Sequence, residues 1–386
     1  MTPQEHDKIL HDNITKSFQK APEKLIHSIN LEAKNIAASY KVDKRAEHLA
    51  QVPAFITLKD HKDHFIAKPT CRLINPCKTA LGAISKSILD QINNNIRTIT
   101  EFYQWKNTDN VIKWFNCIDN KDKCSFIQLD IKEFYPSITT EILSKSIDFA
   151  KGFTEISDKD IRTIQHCRKS LLFYNEEAWK KKVSQNCFDV TMGSLDGAEI
   201  CELVGLFILN RLSILINKND VGLYRDDGLL VLRNTNGRFI DKKRKEIIKC
   251  FKDIGFQIDI ETNLKVANFL DITLDLNTNT YRPFKKQNNT LLYINTSSNH
   301  PKEIIKQLPL SVNDRLSNNS SNQEVFDCSK EEYEVALKRS GFKNTTLSFK
   351  KPTPPKRKNR NRNIIWFNPP FNKDVSTNVG KKFLSL

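Results

Sequence analysis

The sequence predicts an α+β fold. Short apolar runs of strand length alternate with longer segments of helical spacing, without the regular strand–helix–strand rhythm of a doubly wound parallel sheet. The chain has 386 residues and is 39% apolar, enough to bury a substantial core and to divide into two or three subdomains. A proline-and-basic stretch, "KKPTPPKRKNRNR" at 350–362, reads as a linker beyond that core.

Taken in order, residues 5–50 read as helical segments of mixed charge. "VPAFITLKDHKDHF" (52–65) and "CRLINPCKT" (71–79) read as two short strands around a polar turn. Helical spacing through Leu81, Ile84, Ile88, Leu89 and Ile92 predicts a helix over 80–96, and a second runs from Asp109 past Trp114. "CSFIQLDIKEFYPSI" is an apolar strand broken at Asp130. Thr139 or Thr140 then caps a helix to about Ala150, with Glu141 in its first turn. Residues 157–174 read as one helix, and "FDVTMGSLDGAE" as a strand and glycine turn before a long helix starting near Ser194. A hairpin follows at 221–232, then a helix over 238–254 and strands at 256–260 and 268–276. Residues 300–340 read as a small helical domain.

No run of about 18 apolar residues is present, and the first 18 residues hold no apolar signal core, so no membrane association is expected. Nine cysteines, an odd number without CxxC pairs, point to reduced intracellular thiols rather than a disulfide framework or zinc module. The net charge is +16, of which the segment from Ser340 onward supplies +10 (11 Lys/Arg against Asp374). A basic excess of this kind suits a polyanionic partner such as nucleic acid.

The hairpin "VGLYRDDGLLVL" (221–232) sets two adjacent carboxylates, Asp226 and Asp227, inside an apolar run. Two carboxylates ~4 Å apart repel by about 4 kcal/mol at an effective dielectric near 20. A solvated Asp-Asp-Gly hairpin tip would tolerate them, and so would a tip that presents them to a divalent cation. Asp130 bears on the choice, because it too ends an apolar strand run, "FIQLD". If these strands pair, three carboxylates converge where two divalent ions could sit, the arrangement used for in-line phosphoryl transfer.

At this point the chain resembles a reverse transcriptase. "QLDIKEFYPSI" is similar to that family's motif A, "MGSLDGAE" to motif B, "YRDD" to motif C and "GFQIDIETNLK" to motif D. "NFLDITL" resembles the primer-grip region, and "ITLKDHK" and "CRLINP" the fingers motifs. All seven stand in family order over roughly residues 50–280. "MGS" and the "FLD" box most resemble the Penelope-like retroelements. Members of that lineage typically end in a GIY-YIG endonuclease, a motif this chain lacks, so an endonuclease-lacking form and a fragment both stay open.

The resemblance implies a right-hand polymerase: an N-terminal helical extension (1–50), fingers (51–125), a palm with an antiparallel sheet (126–285, with a fingers insertion at about 150–186), a helical thumb (286–345) and a basic tail (346–386). It implies Asp130, Asp226 and Asp227 as catalytic ligands of two Mg2+ ions, with Mn2+ as the substitute. Tyr135 would be the steric gate against a ribose 2′-OH, where RNA polymerases typically carry a polar acid, and Phe134 the core aromatic beside it. Gly193 and Ser194 would let the backbone approach the nucleotide, although Met192 and "LDGAE" depart from the common wording of this motif. Arg72 and Lys59 would grip the triphosphate, Lys62 the phosphates or template, and Lys265 would protonate the leaving pyrophosphate. Phe269, Leu270 and Asp271 would be structural, their strand positioning the primer end and so the nucleic acid. Lys356, Arg357 and Lys358 would bind nucleic-acid phosphates or direct the protein to the nucleus. The implied partners are an RNA template, a DNA primer or target DNA, and dNTPs, in the setting of a mobile element. Two alternatives stand beside this reading: an RNA-dependent RNA polymerase, and a catalytically silent nucleic-acid-binding remnant.

Overall fold

The computed structural model describes residues 2–42, 52–59, 65, 69–77, 79–182, 187–233, 236–286, 290–343 and 345–350. The chain divides into two compact units, one of residues 1–107 and 123–265, the other of 108–122 and 266–386. The first opens with α1 (Pro3–Ser17), β1 (Phe18–Lys20), α2 (Glu23–Ser39), the hairpin β2 (Phe55–Leu58) and β3 (Cys71–Ile74), α3 (Ala80–Thr100) and β4 (Tyr103–Gln104). After α4 (Thr108–Asn116), which belongs to the second unit, it resumes with β5 (Cys124–Ile131), α5 (Phe134–Ser137), α6 (Thr140–Lys151) and α7 (Asp158–His166). It continues through β6 (Leu172–Tyr174), β7 (Glu177–Lys181), α8 (Gly197–Ser213), β8 (Val221–Tyr224), β9 (Asp227–Arg233), α9 (Gly237–Ile254) and β10 (Ile258–Leu264). The second unit adds β11 (Val266–Phe269), β12 (Ile272–Asp275), β13 (Thr280–Pro283), α10 (Lys302–Asn318) and α11 (Gln323–Arg339).

A five-stranded sheet, in the order β10-β5-β9-β8-β4, forms the centre of the first unit. Its pairs are antiparallel except β4–β8. One face is apolar because β5 and β9 alternate: Ile127, Leu129 and Ile131 with Leu230 and Leu232 pack into a core with Ile200, Leu203 and Val204 of α8. Helix α8 is apolar nearly all round, since it contacts β8 on one side and α3 and α6 on others. The predicted cap of α6 is present: Thr139 Oγ1 accepts from the Ile142 amide at 3.2 Å. Helix α9 ends at Gly255 in the left-handed region, φ 113°.

Two expectations change. The helix expected over 157–174 stops at His166, and residues 172–181 form the hairpin β6–β7, which joins β1 in a three-stranded sheet. Its two turn residues, Asn175 and Glu176, lie at φ 49° and 62°, the left-handed geometry that two-residue hairpins use. The strand expected over 268–276 is instead two, β11 and β12, reversing at Leu270 (φ 52°) and Asp271.

In the second unit β11, β12 and β13 form an antiparallel sheet. Phe115 of α4 meets Tyr281 of β13 edge-on at 6.5 Å. Arg315 of α10 pairs with Asp271 at 3.0 Å, and Val312, Leu316, Phe326, Leu337 and Leu347 form the helical core.

Helix α2 is fastened in the first unit by charge. Glu32 Oε2 lies 2.5 Å from Lys169 Nζ and 3.1 Å from His166 Nδ1, a contact off the direction of an aligned hydrogen bond. Burial pushes the His166 imidazole below its ordinary 6.5, against the raising influence of Glu32. Burial alone would raise Glu32, but the Lys169 and His166 contacts outweigh it and hold the carboxyl below its ordinary 4.5. Both groups therefore bind fewer protons folded than unfolded, so each contributes stability that is present at neutral pH and lost on acidification. The thermal midpoint is expected to fall as pH drops below the 6.5 reference of the imidazole, and further below 4.5. His166→Gln should flatten the first stage; an unchanged slope in that variant would refute the assignment.

Candidate active site

Strand β5 turns Leu129 and Ile131 into the core, which leaves Asp130 on the other face, exposed. The register sets Asp130 directly opposite Asp227 of β9 on one side and Asp259 of β10 on the other. Residues directly opposite in antiparallel strands share a face, with Cβ atoms about 5 Å apart. Three carboxylates thus stand in one row across three strands. The third member, Asp259, was missed in the sequence, where β10 alternates Ile258, Asp259, Ile260 and Glu261 like any half-buried strand.

Asp226 lies in the turn beside this row, and its carbonyl accepts from the Ile131 amide at 2.9 Å. The hairpin tip is Arg225-Asp226, with Arg225 at φ 55°, one residue earlier than the Asp-Asp-Gly tip expected. Gly228 is consequently a strand residue. A Cβ there would stand 2.7 Å from Leu129 Cδ1 and 2.8 Å from Leu223 Cδ2, so glycine follows the acids because leucines of both neighbouring strands close over it.

Tyr135, on α5, is half-buried between α8 and this turn, near Gly197 and Cys201 and within electrostatic range of Arg225 and Asp226. Burial, with Cys201 beside it, pushes its hydroxyl above the usual phenol range. Phe134 is buried against Phe256 at 5.5 Å, a core residue as expected.

Gly193 has φ +107°, and a Cβ there would lie 2.8 Å from the Asn75 carbonyl oxygen. The Asn75 amide donates to Met192 O at 2.8 Å. The glycine loop is therefore clamped to the end of β3, the strand that carries Arg72, and this packing requires glycine whatever ligand approaches. Helix α8 begins at Gly197 rather than Ser194. Ser194 Oγ donates to Thr191 O at 3.2 Å, and Asp196 holds the N-cap position without capping. The Asp196 carboxylate instead pairs with Arg168 and accepts from Ser85 Oγ at 2.5 Å, all three buried.

Arg72 pairs with Thr57 across the β2–β3 hairpin, and the Lys59 amide donates to Thr70 O at 2.8 Å, continuing the ladder. That register brings Arg72 and Lys59 to the same face as diagonal neighbours, about 7 Å apart by backbone geometry. Lys62, Lys356, Arg357 and Lys358 lie outside the described residues.

One assignment is corrected. Lys265 Nζ donates to the Cys124 carbonyl at 2.6 Å, at the opposite end of β5 from Asp130. Six residues at ~3.4 Å each put it about 20 Å from the carboxylate row, too far for proton transfer there. Phe269 is 2% exposed and anchors β11 in the core, the structural part expected of it.

Carboxylate oxygens are the donors that magnesium and manganese prefer. Among the described residues no three His, Cys, Asp or Glu side chains are already gathered as a metal cage. The fit lies in donor type and backbone placement: register sets Asp130 against Asp227, and the turn sets Asp226 beside them.

No protein-family profile matches the chain, and no curated protein does so by sequence. Among solved structures, a telomerase from Candida albicans, determined with a TWJ fragment of telomeric RNA, aligns with a TM-score of 0.52 at 12% identity. The alignment covers 87% of this chain and 57% of the telomerase chain. The RNA-dependent RNA polymerase of a human picobirnavirus aligns at 0.44 and 11% identity, over 58% and 44% of the two chains, too distant to argue from. The fold is that of the right-hand polymerases.

Proposed function

We propose that this right-hand polymerase fold is a reverse transcriptase, which extends a primer 3′-OH with dNTPs on an RNA template. The observation that carries the proposal is the pairing of Asp130 with Asp227, with Asp226 in the adjoining turn. In this reading these three carboxylates hold two divalent ions, magnesium or manganese. When bound, the ions supply Lewis acidity for the attacking 3′-oxygen and the leaving pyrophosphate. Arg72 and Lys59 offer cations on one hairpin face to the triphosphate. In this reading the half-buried Tyr135 ring stands where a ribose 2′-OH would collide, which favours deoxynucleotides over ribonucleotides. An RNA partner is supported by the likeness to a telomerase determined with a fragment of telomeric RNA. A mobile-element setting and a nuclear location, closest to the Penelope-like elements, belong to the same proposal.

Primer extension tests it: the 386-residue chain, an RNA template with an annealed DNA primer, magnesium or manganese, and dNTPs or rNTPs in parallel. Extension with dNTPs alone is expected, and Tyr135→Val should admit rNTPs. Extension by the wild type with rNTPs would move the answer to an RNA polymerase. Tight template binding without extension in either metal would leave a silent remnant.

A further inference from the structure

Besides Arg72 and Lys59 on the β2–β3 hairpin, a third cation, Lys132, stands at the carboxylate row itself. Its Nζ lies 2.7 Å from Asp259 Oδ1, and Asp259 sits directly opposite Asp130. The residue that holds the ammonium is thus one strand spacing from the middle of the row. The Lys132 backbone is fixed on both sides: its amide donates to Gln257 O at 2.9 Å, and its carbonyl accepts from Ser137 Oγ at 3.2 Å. The side chain beyond this anchored backbone is held only loosely. Lys132 is 48% and Asp259 68% exposed, and an exposed ion pair of this kind is weak. A lysine suits the position, because a compact ammonium on a flexible stem can leave one carboxylate for a more highly charged phosphate.

We propose that Lys132 is a triphosphate-binding residue, parked on Asp259 beside the carboxylate row and released to the β- and γ-phosphates of an incoming nucleotide. Asp259 then acts as a positioning residue that keeps the ammonium near the row and competes with the nucleotide for it. This rests on the polymerase reading for the place of the nucleotide, but its test does not depend on turnover. The two partners of a merely structural ion pair should shift nucleotide binding alike or not at all. A parked cation predicts opposite shifts.

The experiment is calorimetric titration of the full chain with magnesium and a dNTP, for the wild type, Lys132→Ala, Lys132→Arg and Asp259→Asn. Lys132→Ala is expected to weaken binding at least tenfold, Lys132→Arg to recover most of it, and Asp259→Asn to tighten binding two- to fivefold. Shifts of both partners in the same direction, shifts below twofold, or no binding by the wild type would each overturn the proposal. Primer extension is run beside it. A wild type that binds the nucleotide with these shifts yet extends nothing would remove the polymerase reading and leave the Lys132 assignment standing.

Discussion

Asp130→Asn is expected to reduce nucleotide addition at least about a thousandfold, on the order of 4 kcal/mol of transition-state stabilisation, with no loss of thermal stability. The two halves of this result come from the same geometry. Asp130 stands opposite Asp227 and Asp259 on the exposed face of β5, and its neighbours Leu129 and Ile131 supply the packing. Like charges directly opposite in a sheet are unfavourable, so asparagine removes repulsion while keeping the shape. The midpoint should be equal to or above that of the wild type. Magnesium provides the complementary measurement: an ion that binds only the folded state raises the midpoint by mass action. Thermal-shift curves should move upward with magnesium for the wild type and much less for Asp130→Asn. An active Asp130→Asn variant would eliminate the proposed site, and a large loss of stability would mean that the row is structural.

The second large effect is on stability. Arg168→Met is expected to cost about 3–5 kcal/mol, because Arg168 and Asp196 are 0% and 1% exposed and removing the cation strands a buried carboxylate. Domain stabilities are only about 5–15 kcal/mol, so the variant should sit near the edge of unfolding at ambient temperature. The pair itself is imperfectly compensated. Nε and Nη1 of Arg168 have no hydrogen-bond acceptor among the described residues, so replacing both partners with apolar residues should be far milder. Urea unfolding of Arg168→Met, Asp196→Leu and the double variant tests this. Recovery of the double variant to within about 1 kcal/mol of the wild type is expected. Additive losses would show that each residue acts alone.

Much of the centre was legible in the sequence, because the local signals agreed. An apolar strand through Asp130, a hairpin around Asp226 and Asp227, and a long apolar helix behind them need only periodicity and turn chemistry to be seen. Two misreadings were local, tight left-handed turns at Asn175–Glu176 and at Leu270; those at the site depended on register or on contacts between distant segments. Asp259 reads as an ordinary outward residue of an alternating strand until β10 is aligned against β5. Lys265 falls close to the site only if the strand ends at 260, whereas β10 runs on to Leu264 through an irregularity after Glu261 and carries it away. Gly228 looks like a turn glycine because the leucines that close over it come from two other strands. Arg168 falls inside the helix expected over 157–174, and nothing local marks its partnership with Asp196.

The strand order also governs how the protein is made. Asp227 and Asp259, the neighbours of Asp130 in the sheet, follow it by 97 and 129 residues. At a synthesis rate of about 5–20 residues per second, β5 leaves the ribosome roughly 5–20 s before the first of these partners exists. Through that interval the nascent chain carries an apolar strand with both edges unpaired, a ready template for wrong association. Such long-range pairing also makes folding intrinsically slow. The strand order that brings the carboxylates together thus sets the expectation of slow folding, measurable as refolding from urea on the scale of seconds or longer.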